Sequence, residues 1–260
     1  MIRVMTMALL LLALGGCGAT PPGYEADQGQ VTITVIGTND THGQLERVAV
    51  LSGYMRNIRA ARETDGGAAL LLSGGDMWQG TLESYLFEGA SMVEAYNHVG
   101  YTAAAIGNHE FDYGPTGEHA TPQGPEDARR GALMARVEEA AFPILSANFI
   151  ERSTGEPVRW AGVQPYTVVE AAGLRIGVIG ASTEETLETT ISANVSDLRM
   201  ASVISVVEQH ARELRERGAD LVLLAVHAGG HCESFEDPDD LSSCDPDEEI
   251  MGVARGLAPG

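Results

Sequence analysis

One pattern occurs four times in the chain and limits its fold more than any other: an aliphatic run stops abruptly at glycines and small polar groups. "VTITVIG" leads into "TNDTHG", "AALLLSGG" into "DMWQG", "TAAAIG" into "NHEFDYG", and "ADLVLLAVH" into "AGGH". Short aliphatic runs without alternation are buried on both faces, as strands of a parallel sheet are. Helical stretches at 45–63 and 81–98 separate the first three runs. Strand, helix, strand, helix, strand is the order that right-handed crossovers of a parallel sheet require, so an α/β fold is expected. In such sheets ligands bind beyond the carboxyl ends of the strands. Here every one of those ends supplies Asp, Asn or His.

The rest of the chain is less regular. A Pro/Gly-rich excursion fills 115–130, a helix is expected over 126–140, and "FPILSANFI" (142–150) reads as one strand. "VQPYTVVEAAGLRIGVIG" (163–180) predicts a hairpin turning at Ala172-Gly173. A helix over 201–217 then leads to the strand that ends at His227. Neither an internal repeat nor a domain boundary is visible after residue 30.

The polar ends carry recognisable chemistry. Asp40 and His42 stand two apart, so in an extended segment both side chains leave on one side. A hard oxygen beside an imidazole nitrogen suits a divalent first-row metal. Asp76 follows two glycines that let the backbone turn sharply, and its carboxylate could bridge two cations. As a helix-capping aspartate it is the poorer candidate, because Thr81 is better spaced. Asn108 offers a neutral oxygen. His109, its neighbour, is expected to diverge from it and to face a substrate as a proton donor, with Asp112 holding the imidazole in the right tautomer. Glu110 is expected to be structural, with a backbone contact. Ion pairing does not explain this cluster: between Arg62 and Arg129 no basic side chain other than histidine occurs.

Charge narrows the function. The formal net charge is −21, and all 16 basic residues are arginine. Such a chain repels nucleic acid and anionic membrane surfaces. Handling an anionic substrate would demand local positive charge, which bound cations can supply.

The amino terminus, "MIRVMTMALLLLALGGCGAT", has Arg3, an apolar run from Val4 to Leu14 and then small residues. It is too short to span a bilayer and reads as a signal peptide. "LGGC" at 14–17 resembles the bacterial lipobox, which would make Cys17 the lipidated residue and place the protein outside the cytoplasm on a lipid anchor; ordinary cleavage nearby is the alternative. Residues 18–30, rich in Gly, Pro and polar groups, read as a flexible tether. Assigning Cys17 to lipid leaves Cys232 and Cys244 as a disulfide pair. A zinc site of His227, His231, Cys232 and Cys244 fits less well, because the spacing is not that of a zinc knuckle. The acidic loop 232–249 lacks the glycine and terminal glutamate of a calcium-binding EF-hand.

Taken together, "TNDTHG", "LLLSGGDMWQG", "VGYTAAAIGNHEFDYG", "ILSANF", "GVIGAST" and "DLVLLAVHAGG" resemble the N-terminal catalytic domain of the bacterial 5′-nucleotidase group of calcineurin-like metallophosphoesterases. The resemblance extends over 31–260, in order. It implies a four-layer α/β sandwich of two mixed sheets flanked by helices. It also implies two divalent ions of the Mn, Zn, Co or Mg class, with Asp40 and His42 on the first, Asp76 bridging, and Asn108 and His227 on the second. His109, paired with Asp112, is the implied catalytic histidine, and a hydroxide shared by the ions the in-line nucleophile. The implied activity is hydrolysis of phosphate esters, nucleotides above all, of the 5′-nucleotidase or cyclic-nucleotide phosphodiesterase type. Two alternatives are a thiosulfohydrolase of the sulfur-oxidation type and an inactive lipoprotein that binds through the same fold. The family pattern continues with a strand ending in Gly-His-x-His that gives each ion one more ligand. No such strand lies within these 260 residues, so the catalytic domain is expected to be incomplete and the chain alone to bind metal weakly.

Overall fold

The computed structural model describes residues 30–257 except Phe235 and Pro238. The expected signal peptide, Cys17 and all of the expected tether except Gln30 lie outside the described residues. From Val31 onward the chain forms a single compact unit.

Strand β1 (Ile33–Thr38) is followed by α1 (Leu45–Asp65), β2 (Ala68–Ser73), α2 (Leu82–Leu86), α3 (Ala90–Val99) and β3 (Ala103–Ala105). Next come α4 (Gly131–Glu139), β4 (Ile144–Leu145), β5 (Phe149–Glu151), β6 (Val163–Gln164), β7 (Tyr166–Ala171) and β8 (Leu174–Ser182). The described chain closes with α5 (Glu185–Glu188), α6 (Ser192–Val195), β9 (Leu198–Met200), α7 (Val203–Glu216), β10 (Leu221–His227) and α8 (Glu249–Gly256). Strands β1-β2-β3-β4-β6 make one sheet, wholly parallel among the described residues. A second, mixed sheet runs β10-β8-β7, with β10 parallel and β7 antiparallel to β8.

The two sheets lie face to face, and the period of two along each strand sorts the side chains between layers. Leu72, Ala103, Ala105, Leu145, Val178 and Ala225 fill the space between the sheets. Their neighbours Leu71, Ala104 and Ile144 point outward to α1, α3 and α4. Ile179 and Ala181 likewise meet Val203, Val207 and Leu214 of α7. Helix, sheet, sheet, helix is the expected four-layer α/β order, although among the described residues only the second of the two sheets is mixed. Because both faces of each inner strand are covered, β2, β3 and β8 can carry uninterrupted apolar runs.

Two expected elements are broken, each for a local reason. The helix expected over 81–98 divides into α2 and α3, because Glu88 and Gly89 adopt left-handed φ of 50° and 87°. A Cβ at Gly89 would stand 2.7 Å from the buried Trp78 ring, which occupies the corner. The strand expected over 142–150 becomes β4 in the parallel sheet and β5, which pairs antiparallel with β9 instead. Asn148 causes the change of sheet: its Nδ2 donates to the Ser182 and Ala201 carbonyls at 2.6 and 3.1 Å, and its Oδ1 accepts from Ser182 N. The hairpin turns at Ala172-Gly173 as expected, with φ of 51° and 80°. Cys232 and Cys244 are joined, closing the loop between β10 and α8. Among the described residues no helix is long and apolar enough to cross a membrane.

Candidate metal centre

The ends of β1, β2, β3 and β10 open into one cavity of about 510 Å³, lined by Asp40, His42, Asp76, Asn108, His109 and His227 among others. Parallel pairing explains the convergence, since β1, β2 and β3 are successive neighbours and their carboxyl ends share one edge. The loop after β1 is laced to the loop after β2: Asp40 N donates to Gly75 O, His42 N to Asp76 O and Gly43 N to Met77 O, at 3.1–3.2 Å.

Asp40, His42 and Asp76 all adopt left-handed backbone, with φ of 52°, 45° and 52°. Asp40 and His42 are therefore not carried on an extended segment as expected. Their side chains still meet, with His42 Nε2 3.5 Å from Asp40 Oδ1, because the lacing turns both inward. Left-handed non-glycine residues cost of order 1 kcal/mol or more and persist where the surroundings fix them, as at binding sites.

Asp76 is the centre of the arrangement and is only 2% exposed. Its Oδ2 has His227 Nε2 at 3.6 Å, His109 Nε2 at 3.9 Å and His42 Nε2 at 4.0 Å. Its Oδ1 accepts from His109 N at 3.0 Å. The Oδ2 separations are too long for hydrogen bonds. Two ligands each about 2.1 Å from a common ion stand roughly 3–4 Å apart, so these distances suit a shared cation. His227 Nε2 is also 2.9 Å from Asn108 Oδ1, which puts an amide oxygen beside the imidazole nitrogen that faces the carboxylate. Among the described residues no basic side chain apart from histidine lines the cavity, while Glu185 and Glu249 add further carboxylates. Carboxylate and imidazole donors with no neutralising arginine are a fitting set for divalent ions.

His109 lies nearer this set than adjacent side chains on a strand would allow. His42, Asp76 and His109 offer ligand atoms all within 4.8 Å of one another, a group that can hold a metal ion. Asn108 has helical φ and ψ of −74° and −37° and leads into a 3₁₀ turn, His109–Phe111. Successive side chains there diverge by roughly 120° rather than 180°, so His109 reaches Asp76 while Asn108 reaches His227. His109 Nδ1 is 2.5 Å from Asp112 Oδ2. That hydrogen bond is the main reason its imidazole pKa is raised; burial opposes it, and the Asp76 charge supports it.

Glu110 does more than the single backbone contact expected. Buried at 1% exposure, it accepts from Asp76 N at 2.8 Å, Met77 N at 2.8 Å and Gly107 N at 2.6 Å. It thus ties the loop after β2 to the loop after β3. Burial, then the nearby Asp76 charge, pushes its pKa up to about 8, against the pull of the three amides. Thr190 was not anticipated: its Oγ1 donates to Asn108 O at 3.0 Å and lies 3.4 Å from Asp112 Oδ1. Nothing in "LETTIS" signals this, because the contact depends on how the second sheet presents the segment after β8. His231 is exposed, and His98, His119 and His210 do not line the cavity.

Two glycines are required by close approach. A Cβ at Gly107 would stand 2.3 Å from Asp76 Oδ1 and 2.9 Å from His227 Nδ1; one at Gly75 would stand 2.7 Å from Gly107 N and 3.1 Å from the same imidazole nitrogen. Gly107→Ala is expected to cost about 1–3 kcal/mol in urea unfolding, the usual range for overpacking. Gly37→Ala, where a Cβ meets nothing within 4 Å, is the matched control and should cost far less.

No family model matches the chain. Among curated proteins it is 30% identical to a 5′-nucleotidase of Vibrio vulnificus (strain CMCP6) over 239 residues, 89% of this chain and 40% of that one. Among solved structures it resembles a 5′-nucleotidase precursor from Thermus thermophilus, with TM-score 0.59 and 26% identity over 75% of this chain and 37% of that one. It also resembles the calcineurin-like phosphoesterase YfkN from Bacillus subtilis, with TM-score 0.63 and 19% identity over 88% and 70%. The chain spans about 40% of the length of the first curated relatives it matches.

Proposed function

We propose that the chain belongs to the 5′-nucleotidase group of calcineurin-like phosphoesterases, which its likeness to 5′-nucleotidases supports, and that its cavity hydrolyses phosphate esters, nucleoside monophosphates first among them, with two divalent ions. The observation that carries this reading is the buried Asp76 Oδ2 with three imidazole nitrogens at 3.6–4.0 Å. Asp40 and His42 would hold one ion, Asn108 and His227 the other, with Asp76 shared. Ions held there supply Lewis-acid charge for the phosphoryl oxygens and activate water. His109 gives its Nε2 proton to the leaving ester oxygen, while Asp112 keeps Nδ1 protonated and the ring oriented. Thr190 anchors both Asn108 and Asp112.

We assign residues 31–260 to the catalytic unit, 1–17 to a lipoprotein signal ending at Cys17, and 18–30 to a tether, which makes the protein exported and lipid-anchored. "LGGC" and the short apolar run before it support that assignment. The activity test is an assay of the full-length protein with Mn²⁺ on a nucleoside monophosphate and on a thiosulfonate. Release of inorganic phosphate is the expected result. Cleavage of the thiosulfonate alone would replace this reading by the thiosulfohydrolase, and loss of both activities would leave a binding module.

A further inference from the structure

His227 is the only one of the proposed ligands carried by the second sheet, so its position depends on contacts that the first sheet does not supply. Its ring is confined by Gly75 and Gly107. Its backbone is held from the other side: the His227 carbonyl accepts from Thr183 N at 2.9 Å and lies 3.3 Å from Thr183 Oγ1. Thr183 is 5% exposed, at the tip of β8 beside β10. Its hydroxyl donates to Glu249 Oε2, a carboxylate in the first turn of α8.

Glu249 makes two further bonds, both to the rim of the same cavity. Gly229 N donates to its Oε2 at 3.3 Å, and Glu185 N to its Oε1 at 3.4 Å. Ile250 N in turn donates to Gly229 O at 3.0 Å, so the start of α8 grips the loop after His227 in both directions. One half-buried carboxylate thus joins three segments: the tip of β8, the start of α5 and the loop after β10. The Cys232–Cys244 bond closes the intervening loop and keeps α8 within reach.

We propose that Glu249 is a positioning residue for the His227 side of the metal centre, acting through Thr183 and Gly229. The proposal rests on the two-ion reading above. It requires no contact between Glu249 and substrate. Its function is to fix the backbone from which the imidazole projects, as outer partners of metal ligands do.

The test is calorimetric titration of the full-length protein with Mn²⁺, alongside kcat and KM at low and saturating Mn²⁺, for the parent, Glu249→Ala, Glu249→Gln, Thr183→Val and His227→Ala. Glu249→Ala is expected to weaken one of two Mn²⁺ sites about tenfold to a hundredfold. Saturating Mn²⁺ should then restore kcat, with KM for the ester unchanged. Thr183→Val, which keeps the amide bond to His227, should weaken the same site in the same direction. Glu249→Gln retains an acceptor oxygen and should recover most of the affinity, which also covers the case in which Glu249→Ala fails to fold. An unaltered isotherm with a raised KM at every Mn²⁺ concentration would make Glu249 a substrate contact and overturn the proposal. If parent and His227→Ala bind Mn²⁺ identically, the two-ion reading itself fails, a result distinct from the other.

Discussion

Asp76→Asn is expected to abolish two-site Mn²⁺ binding and to lower phosphoesterase turnover by roughly a thousandfold, while leaving the metal-free protein at least as stable as its parent. The first part follows from geometry. Asp76 Oδ2 is the atom around which His42, His109 and His227 gather, and an amide presents one neutral oxygen where a carboxylate presents two charged ones. Loss of a metal's charge stabilisation in phosphoryl transfer amounts to several kcal/mol, and each 1.36 kcal/mol is tenfold in rate. The second part follows from electrostatics. Asp76 is 2% exposed, no arginine among the described residues lines its cavity, and burial followed by the Asp76 charge raises the pKa of the similarly buried Glu110. Without cations the carboxylate is a buried charge, and an amide keeps the oxygen that accepts from His109 N while removing the cost of burying that charge. The two stabilities should therefore cross. At a Mn²⁺ concentration a thousandfold above the dissociation constant, binding stabilises the parent by about 4 kcal/mol, and the variant gains nothing. Thermal denaturation with EDTA and with Mn²⁺ reads both halves. A variant that melts far below the parent in EDTA would mean that Asp76 holds the fold rather than the ions.

Much of this centre was legible because its side chains belong to short, continuous strand ends. Asp40, His42, Asp76, Asn108 and His227 each follow an aliphatic run, and parallel pairing puts those ends on a common rim. The pairing of His109 with Asp112 needs only the local spacing of three. What the sequence could not disclose depends on partners far along the chain. Glu110 sits within the most informative motif, yet two of its three amide donors come from the loop after β2. Thr190 and Glu249 lie in segments with no metal-ligand signature, and their contacts with Asn108 and Thr183 form only in the folded chain, where β8 lies beside β10. The same dependence explains the broken strand at 142–150. "FPILSANFI" satisfies every local criterion for one strand, and only the bonds from Asn148 to Ser182 and Ala201 reveal that the chain changes sheet there. The separation of α2 from α3 has a comparable origin in Trp78, which lies outside the helical stretch it interrupts.

His109→Ala is expected to lower kcat on alkyl phosphate esters by about 10²–10⁴, the range for loss of a general acid, and to do so with Mn²⁺ binding intact. The loss should depend on the leaving group. An alkoxide needs a proton as the P–O bond breaks, whereas 4-nitrophenolate leaves unaided, so the 4-nitrophenyl ester should lose far less. This gradient separates the acid role from simple damage to the cavity, which would affect both esters alike. Asp112→Asn should follow the same gradient with a smaller amplitude, because the ring keeps its position but loses the partner that fixes its tautomer and raises its pKa. The geometry also defines the contrary result. His109 Nε2 stands 3.9 Å from Asp76 Oδ2 and its ring centroid 4.9 Å from that of His42, close enough for a third ligand. If His109→Ala removes a Mn²⁺ site in calorimetry and the two esters lose activity equally, His109 is a ligand, and the leaving oxygen must take its proton from elsewhere.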